Sequence, residues 1–473
     1  MRHTSFLALA LTLSVGLFGC PTDNPVECRD QSSCDLGAGG ACLVAPSGNQ
    51  WCAYPDSSCP SGMRYSDQRV GDGLSGSCVT EDPGADAGVD AADPDARPDA
   101  PTIDASVDAP IVGPIVTNNQ LADLVIGQTN FVSEADRGYT GQSAVSNDVA
   151  ASAGGVWVFD VGKGRVLGFS PLPNTGDPTA SGIVGRPAVT DNTATGAASA
   201  TNLGSIIGAV GYGGGVLAVA DGDRNRVLIW NPAPTAPGEA ADIVIGQPNM
   251  TSSASGNGAS QMSLPLSVWT DGVRLIVGDR ANYRVLIWNT MPTANGQAAD
   301  IVLGQANFGV NVNPSSPSAS NMTMPSGITY DGARLYVADS FFNRVLVWDG
   351  LPTANNEAAD FVLGQPTLTS GSSLAASPTT LNQPTGVARY GNALLVSDYG
   401  NDRIVIYQPL PTTSGSSASL VLGQADLNTP AISGPNAATQ QGFDRPDGLS
   451  VTGSLLFVAD SGNRRVVRFT LAN

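Results

Sequence analysis

DSFFNRVLVW, residues 339–348, opens on an acid, places an arginine five residues later and closes on an aromatic nine residues after the acid. A strand-like apolar run fills the space between arginine and aromatic. The same phrase recurs through the chain, with the pairs Asp160/Arg165, Asp221/Arg226, Asp279/Arg284, Asp339/Arg344, Asp398/Arg403 and Asp460/Arg465. The aromatics are Phe169, Trp230, Trp288, Trp348, Tyr407 and Phe469. Three coincident positions in six copies make the chain a repeat protein from about residue 116 onward.

Each copy divides into four strands. Around residues 325–365, PSGITY forms a first strand, Asp331-Gly332 a tight turn and RLYVAD a second strand. SFFN is then a loop, RVLVW a third strand, and DFVLGQ, after a longer link, a fourth. The second and third strands are apolar on both faces, which predicts that both faces are buried. Six such sheets packed around an axis make an all-β, six-bladed β-propeller. The fourth-strand phrase also occurs six times, as Val125-Ile126-Gly127-Gln128 and its counterparts, but the first copy precedes any complete unit and the last unit ends after RVVRFT. Residues 121–128 are therefore expected to complete the last sheet, closing the ring and removing its open edges.

GITYDGARLYVADSFFNRVLVWD, with its Gly-Ile start, Val-Ala-Asp-Ser and Asn-Arg-Val, resembles the NHL repeat, and similar phrases run from about residue 140 to the end. The resemblance implies an NHL-type propeller. The first copy departs most: FDVGKGRVLGF has Gly-Lys-Gly where the Asn would sit, and its fourth strand carries Arg186 in place of Gln.

The remainder of the chain reads as export and display. Arg2 and the apolar run from Phe6 to Phe18 form a signal too short for a membrane span. It ends at Leu17-Phe18-Gly19-Cys20, which resembles a lipobox and implies lipidation of Cys20 after removal of residues 1–19. The alternative is an ordinary secretory signal with Cys20 in a disulfide. Residues 20–80 keep Cys28, Cys34, Cys42, Cys52, Cys59 and Cys78, an even set that in an exported protein predicts three disulfides in a small module, with 15 pairings possible. Residues 81–115 form a disordered acidic Asp/Ala/Pro linker. Its stretch 81–110 has nine acids against one base and would span on the order of 90 Å. Residues 116–473 are the propeller, with 25 acids and 17 bases in 111–473. No basic stripe exists, so nucleic acid is excluded as a partner.

The repeated Asp/Arg pairs, aromatics and Gly-Gln steps suit a scaffold, since a site needs asymmetry. Function is expected where copies differ. The loop between second and third strands reads VGKG, GDRN, RANY, SFFN, YGND and SGNR in the six copies, and it shares a rim with the long links between blades. Recognition on a rigid scaffold favours such loops. The candidate ligand-binding rim is Lys163, Arg224, Arg280, Tyr283, Phe341, Phe342, Tyr399 and Arg464, with the alternative that Phe341 or Phe342 only plugs a gap between blades. A ligand with negative charge or flat apolar faces, a polysaccharide or a partner protein, is implied.

The residue inventory argues against an enzyme. The single His is His3, inside the signal, and the propeller has no Cys and only one Lys, Lys163. Ser-His and Cys-His nucleophiles and imidazole metal sites are thereby removed. Some NHL-type propellers are lyases with a histidine-held metal; that chemistry has no residues here. No catalytic residue, cofactor or metal ligand is assigned, although calcium on channel carboxylates stays open. The leading expectation is a monomeric, lipid-anchored extracytoplasmic binding or sensing module of a bacterial envelope, on the outer membrane or cell surface rather than the inner membrane. The alternatives are a calcium-dependent, carboxylate-only hydrolase or lactonase and a structural envelope protein.

Overall fold

The computed structural model describes residues 41–44, 50–55, 63–65 and 113–472, the last stretch without 143–145, 194–195, 206–207 and 430–437. The chain divides into two compact units, Met1–Pro98 and Asp99–Asn473.

In the first unit, Ala41–Val44, Gln50–Pro55 and Met63–Tyr65 form a three-stranded antiparallel sheet in chain order. Ala53 and Tyr65 are paired in register and buried. Cys42 and Cys52 are register partners. Cys20, Cys28, Cys34, Cys59 and Cys78 lie outside the described residues, as do the signal and 81–112 of the linker.

The second unit is a six-bladed propeller whose blades are four-stranded antiparallel sheets. We call the strands of each blade A to D, from the ring axis outward. Blade I holds Ser146–Ser152, Gly155–Asp160, Arg165–Phe169 and Gly182–Val184. Blade II holds Val210–Gly213, Val216–Asp221, Arg226–Trp230 and Ile243–Ile245. Blade III holds Pro265–Thr270, Leu275–Asp279, Arg284–Trp288 and Ile301–Leu303. Blade IV holds Pro325–Tyr330, Leu335–Asp339, Arg344–Trp348 and Phe361–Leu363. Blade V holds Pro384–Tyr390, Ala393–Asp398, Arg403–Tyr407 and Leu420–Leu422. Blade VI holds Pro446–Thr452, Leu455–Asp460 and Arg465–Thr470, and its D strand is Leu124–Ile126 from the start of the unit. The A strands of successive blades touch all the way round, VI against I included.

Burial follows the sequence pattern. The B and C strands are buried along nearly their whole length, and apolar clusters fill the space between adjacent blades. The repeated aromatics lie inside these layers, and the Nε1 groups of Trp230, Trp288 and Trp348 each donate 3.1 Å bonds to carbonyls nine residues on. A buried indole thus keeps its one donor satisfied.

The Asp/Arg pairs are buried ion pairs that tie the links between blades. In blade IV, Arg344 Nε donates to Asp339 Oδ2 at 3.0 Å. Its Nη1 donates to the Leu368 carbonyl at 2.7 Å, in the link leaving the blade, and its Nη2 to the Asn321 carbonyl at 2.8 Å, in the link entering it. The other oxygen, Asp339 Oδ1, accepts the backbone N–H groups of Thr323 and Met324 at 3.0 and 3.2 Å. Arg226, Arg284 and Arg403 repeat this three-way connection. Repetition in every copy therefore reflects scaffold, since a fully buried arginine is stable only with its charge and donors met.

The closure has the expected register: Val466, Val467 and Arg468 pair with Ile126, Val125 and Leu124. Arg465 then has no downstream link to hold, and its Nη1 instead donates to the Phe131 carbonyl, five residues past Ile126, as Leu368 lies five past Leu363. Arg468 of that C strand also pairs with Asp123, the residue before the closing strand, at 2.6 Å. The propeller also begins earlier than the expected boundary at residue 116. Ile115 and Val116 are buried, and the Gly113 carbonyl accepts a 2.8 Å bond from Gln408 Nε2, so apolar Ile115 belongs with the ring rather than with the acidic linker.

The departures of blade I keep the same bonding. The fourth residue of each turn between strands B and C is left-handed, and Gly164 there (φ 59°) replaces the Asn of blades II and IV. At the D-strand exit, Gln247 Nε2 donates to Asn225 and Ala254 carbonyls at 2.8 Å. Arg186 does the same, with Nε donating to the Lys163 carbonyl at 2.9 Å and Nη1 to Thr193.

Deleting residues 116–130 removes the closing strand and leaves the C strand of blade VI as an open edge. The expected outcome is loss of the cooperative thermal transition and aggregation on size-exclusion chromatography; an unchanged melting temperature would contradict this closure.

Candidate functional site: the central cavity

The turn between strands B and C sorts the candidate rim residues by their place in it. The turn is four residues long, and in blades II to V its first three form a 3-10 turn. First-position residues Arg280, Ser340 and Tyr399 face the ring axis and line a central cavity. The second position faces outward, and Phe341 is 59% exposed there. The third position is buried in all six blades: Lys163, Arg224, Asn282, Phe342, Asn401 and Asn463. The fourth is left-handed, with φ 54° at both Tyr283 and Arg464.

The third position serves the Asp/Arg pair. Asn282, Asn401 and Asn463 donate their side-chain amides to Asp279, Asp398 and Asp460 at 2.8–2.9 Å. Lys163 Nζ stands 3.3 Å from both Asp160 and Asp136, and Arg224 stands 3.5 Å from Asp221 while donating to the Asn202 and Gly196 carbonyls. Phe342 packs its ring 5.1 Å from the Arg344 guanidinium. Lys163, Arg224 and Phe342 are thus turned into the scaffold, because a residue three after the aspartate points back at it. Of the eight candidates the structure brings Arg280 and Tyr399 together at the cavity. Phe341 and Arg464 are exposed on the outer face, and Tyr283 is half-buried away from the cavity lining.

The cavity has a volume of about 610 Å3 and is walled by the A strands. Aromatic rings of Tyr212, Trp269, Tyr330 and Tyr399 stand on its wall. Trp269 and Tyr330 meet edge to face at 5.8 Å, and Arg274 lies 5.6 Å from the Tyr330 ring. At one mouth Arg389 pairs with Asp331 at 3.3 Å. At the other mouth the wall is set by the second and third residues of the A strands, where the blades differ.

In blades IV, V and VI the third residue is Gly327, Gly386 or Gly448. At Gly327 and Gly386 a Cβ would lie 2.0 and 2.3 Å from the neighbouring strand's carbonyl oxygen, so the close ring demands glycine there. Blade I has Asp148 at this position. Its Oδ2 accepts the Val210 N–H of blade II at 2.9 Å, and its Oδ1 lies against Gly448 of blade VI, where a Cβ would come within 1.9 Å. Beside Gly448 stands Asp447, the counterpart of Thr385 and Ser326 in the preceding blades. The two carboxyls thus occupy adjacent A strands on one wall. Burial pushes Asp148 up to about 8, with the Asp447 charge adding to the rise, and burial pushes Asp447 up to about 7. Both side chains keep some access to the cavity, but protein surrounds them and no cation among the described residues pairs with either.

Sequence reasoning did not find this carboxyl pair. The signal was present in the A-strand openings, where PSG, PTG and PDG align with SND, but those residues precede the Asp/Arg phrase. Among the described residues no three His, Cys, Asp or Glu groups converge to hold a metal ion.

Raised carboxyl values make a pH prediction. Between about pH 4 and 8 the folded protein holds protons on Asp148 and Asp447 that the unfolded chain has released, so stability falls as pH rises through this window. Chemical denaturation at pH 5, 6, 7 and 8 is expected to show that fall, flattened in Asp148→Asn and Asp447→Asn. A slope unchanged from wild type in both variants would contradict the assignment.

No protein-family model matches the chain, and no curated protein matches it. Solved structures do. Virginiamycin B lyase from Staphylococcus aureus is 12% identical over 72% of this chain and 98% of its own, with a TM-score of 0.37. An auxiliary nutrient binding protein from Bacteroides thetaiotaomicron is 10% identical over 69% of each chain, with a TM-score of 0.39. The β-propeller domain of Myceliophteria thermophila Cps50 (Swd1) is 11% identical over 70% of this chain and 98% of its own, with a TM-score of 0.35.

Proposed function

We propose that this chain is an NHL-type propeller that works as a membrane-anchored, extracytoplasmic binding or sensing module, taking a polysaccharide or protein ligand at the mouth of its central cavity. Lipidated Cys20 is its anchor, the six cysteines of 20–80 form a disulfide-stabilised module, and the acidic linker holds the propeller away from the membrane. The observation that carries the reading is the cavity of about 610 Å3, with Arg280 and Tyr399 at its mouth and aromatic rings on its wall. Pockets that are concave and part apolar, with a few convergent polar groups, are the usual form of a ligand site. Repeated residues are consumed by the scaffold, so the non-repeated residues at the cavity are those left to give specificity.

Two experiments test it. Cys20→Ala is expected to move the protein from the membrane fraction to the soluble extracytoplasmic fraction; retention in the membrane would contradict lipid anchoring. For the binding site, purified wild type and the double variant Arg280→Ala/Tyr399→Ala are immobilised and exposed to defined envelope polysaccharides and envelope proteins. The double variant is expected to keep its melting temperature and to lose at least about tenfold in affinity, the scale of a lost contact near 1.4 kcal/mol. Equal binding by both would contradict a cavity site, and would move attention to Phe341 on the outer face.

A further inference from the structure

Three ionisable side chains and a tyrosine stand at the end of the cavity where the links enter. Asp148 and Asp447 lie on the blade I–VI wall, and Arg280 projects from blade III. Tyr399 of blade V stands beside Asp447, and Arg445 reaches Tyr399 from outside the lining while pairing with Asp444 at 3.1 Å. In a ring of six, blades III and VI are diametrically opposed, so Arg280 faces the carboxyl pair across the opening.

Asp148, Asp447 and Arg280 differ from the repeated Asp/Arg pairs in having no counter-ion among the described residues. Asp160, Asp221, Asp279, Asp339, Asp398 and Asp460 each pair with an arginine. Asp148 has backbone N–H donors and Asp447 the Thr385 hydroxyl, with no cation at either among the described residues. The one hydrogen-bond acceptor at the Arg280 guanidinium among the described residues is the Met324 sulfur, 3.6 Å from Nη2. A guanidinium facing a thioether has its charge unmet by protein. The cavity therefore presents, on opposite walls of one mouth, a guanidinium and two ionisable carboxyls for which no protein counter-ion stands among the described residues.

We propose that the cavity binds a ligand with opposite charges at its two ends, of the class of a short peptide with free termini. Its ammonium group seats between Asp148 and Asp447, and its carboxylate meets the Arg280 guanidinium. This rests on the cavity reading above and names its ligand class. The backbone of such a ligand spans the opening, with Tyr399 available to pack against it. The ligand cation needs the two carboxyls ionised, so affinity rises with pH while the ligand amine remains charged; among the described residues the ionisable groups that adjoin the pair are Tyr399 and, behind it, Arg445 and Asp444.

Isothermal titration of the full-length protein with di-, tri- and tetra-alanine, each also in N-acetylated and C-amidated form, tests the proposal. At least one free-ended peptide is expected to bind, with a loss of at least about tenfold on blocking either end. Asp447→Asn is expected to abolish the effect of acetylation, and Arg280→Met that of amidation, with both variants keeping a cooperative melting transition. Affinity is expected to rise from pH 6 to pH 8. Equal binding of free and blocked peptides would overturn the proposal. So would no binding of any free-ended peptide at millimolar concentration while envelope polysaccharide or protein still binds in an Arg280-dependent manner, which leaves the cavity site standing. Absence of all binding would overturn both.

Discussion

The buried Asp–Arg pair holds this propeller together. Its aspartate fixes the link that enters a blade, and its arginine fixes that link and the one that leaves. Neighbouring blades are separate sheets with no strand ladder between them, and most of the contact between them is apolar packing, which carries little direction. The charged pair supplies direction. Desolvating two charges is costly, and such a pair stabilises only when its remaining donors are met. Here they are met by link carbonyls, which makes blade position and link conformation mutually dependent. The third residue of the adjoining turn completes the arrangement in every blade, as an asparagine, lysine or arginine on the aspartate, or as the Phe342 ring on the arginine.

This explains what could be seen in the sequence. A feature copied six times is visible without any structure, so the Asp/Arg phrase, the aromatics and the apolar runs led to the blades. The unmatched strand at the start and the missing strand at the end led to the closure, now seen in the pairing of Val467 with Val125. The Arg186 departure looked like an altered blade, yet a guanidinium reaches two carbonyls much as the glutamine amide does elsewhere.

The site was less legible. A four-residue loop appears as one surface in sequence, but its backbone turns through a left-handed residue and sends successive side chains to the axis, the solvent and the core. Lys163, Arg224 and Phe342 carry the right chemistry for recognition and point the wrong way for it. Asp148 and Asp447 were overlooked for the opposite reason. They sit among small A-strand residues whose role is close approach, and only the fold shows that one carboxyl replaces a glycine of the inner ring. Scaffold chemistry repeats while the cavity lining does not, and the two meet at the first residue of the turn.

A double-mutant cycle on Asp339 and Arg344 tests the central claim most directly. Stability would be measured by denaturant unfolding for Asp339→Ala, Arg344→Ala and the double variant. Breaking a buried pair from one side costs about 3–5 kcal/mol. The account predicts that each single change falls in that range and that the double change costs little more than either, a large coupling. Additive losses, or single losses below about 1 kcal/mol, would contradict the pair as the element that holds blade and link together.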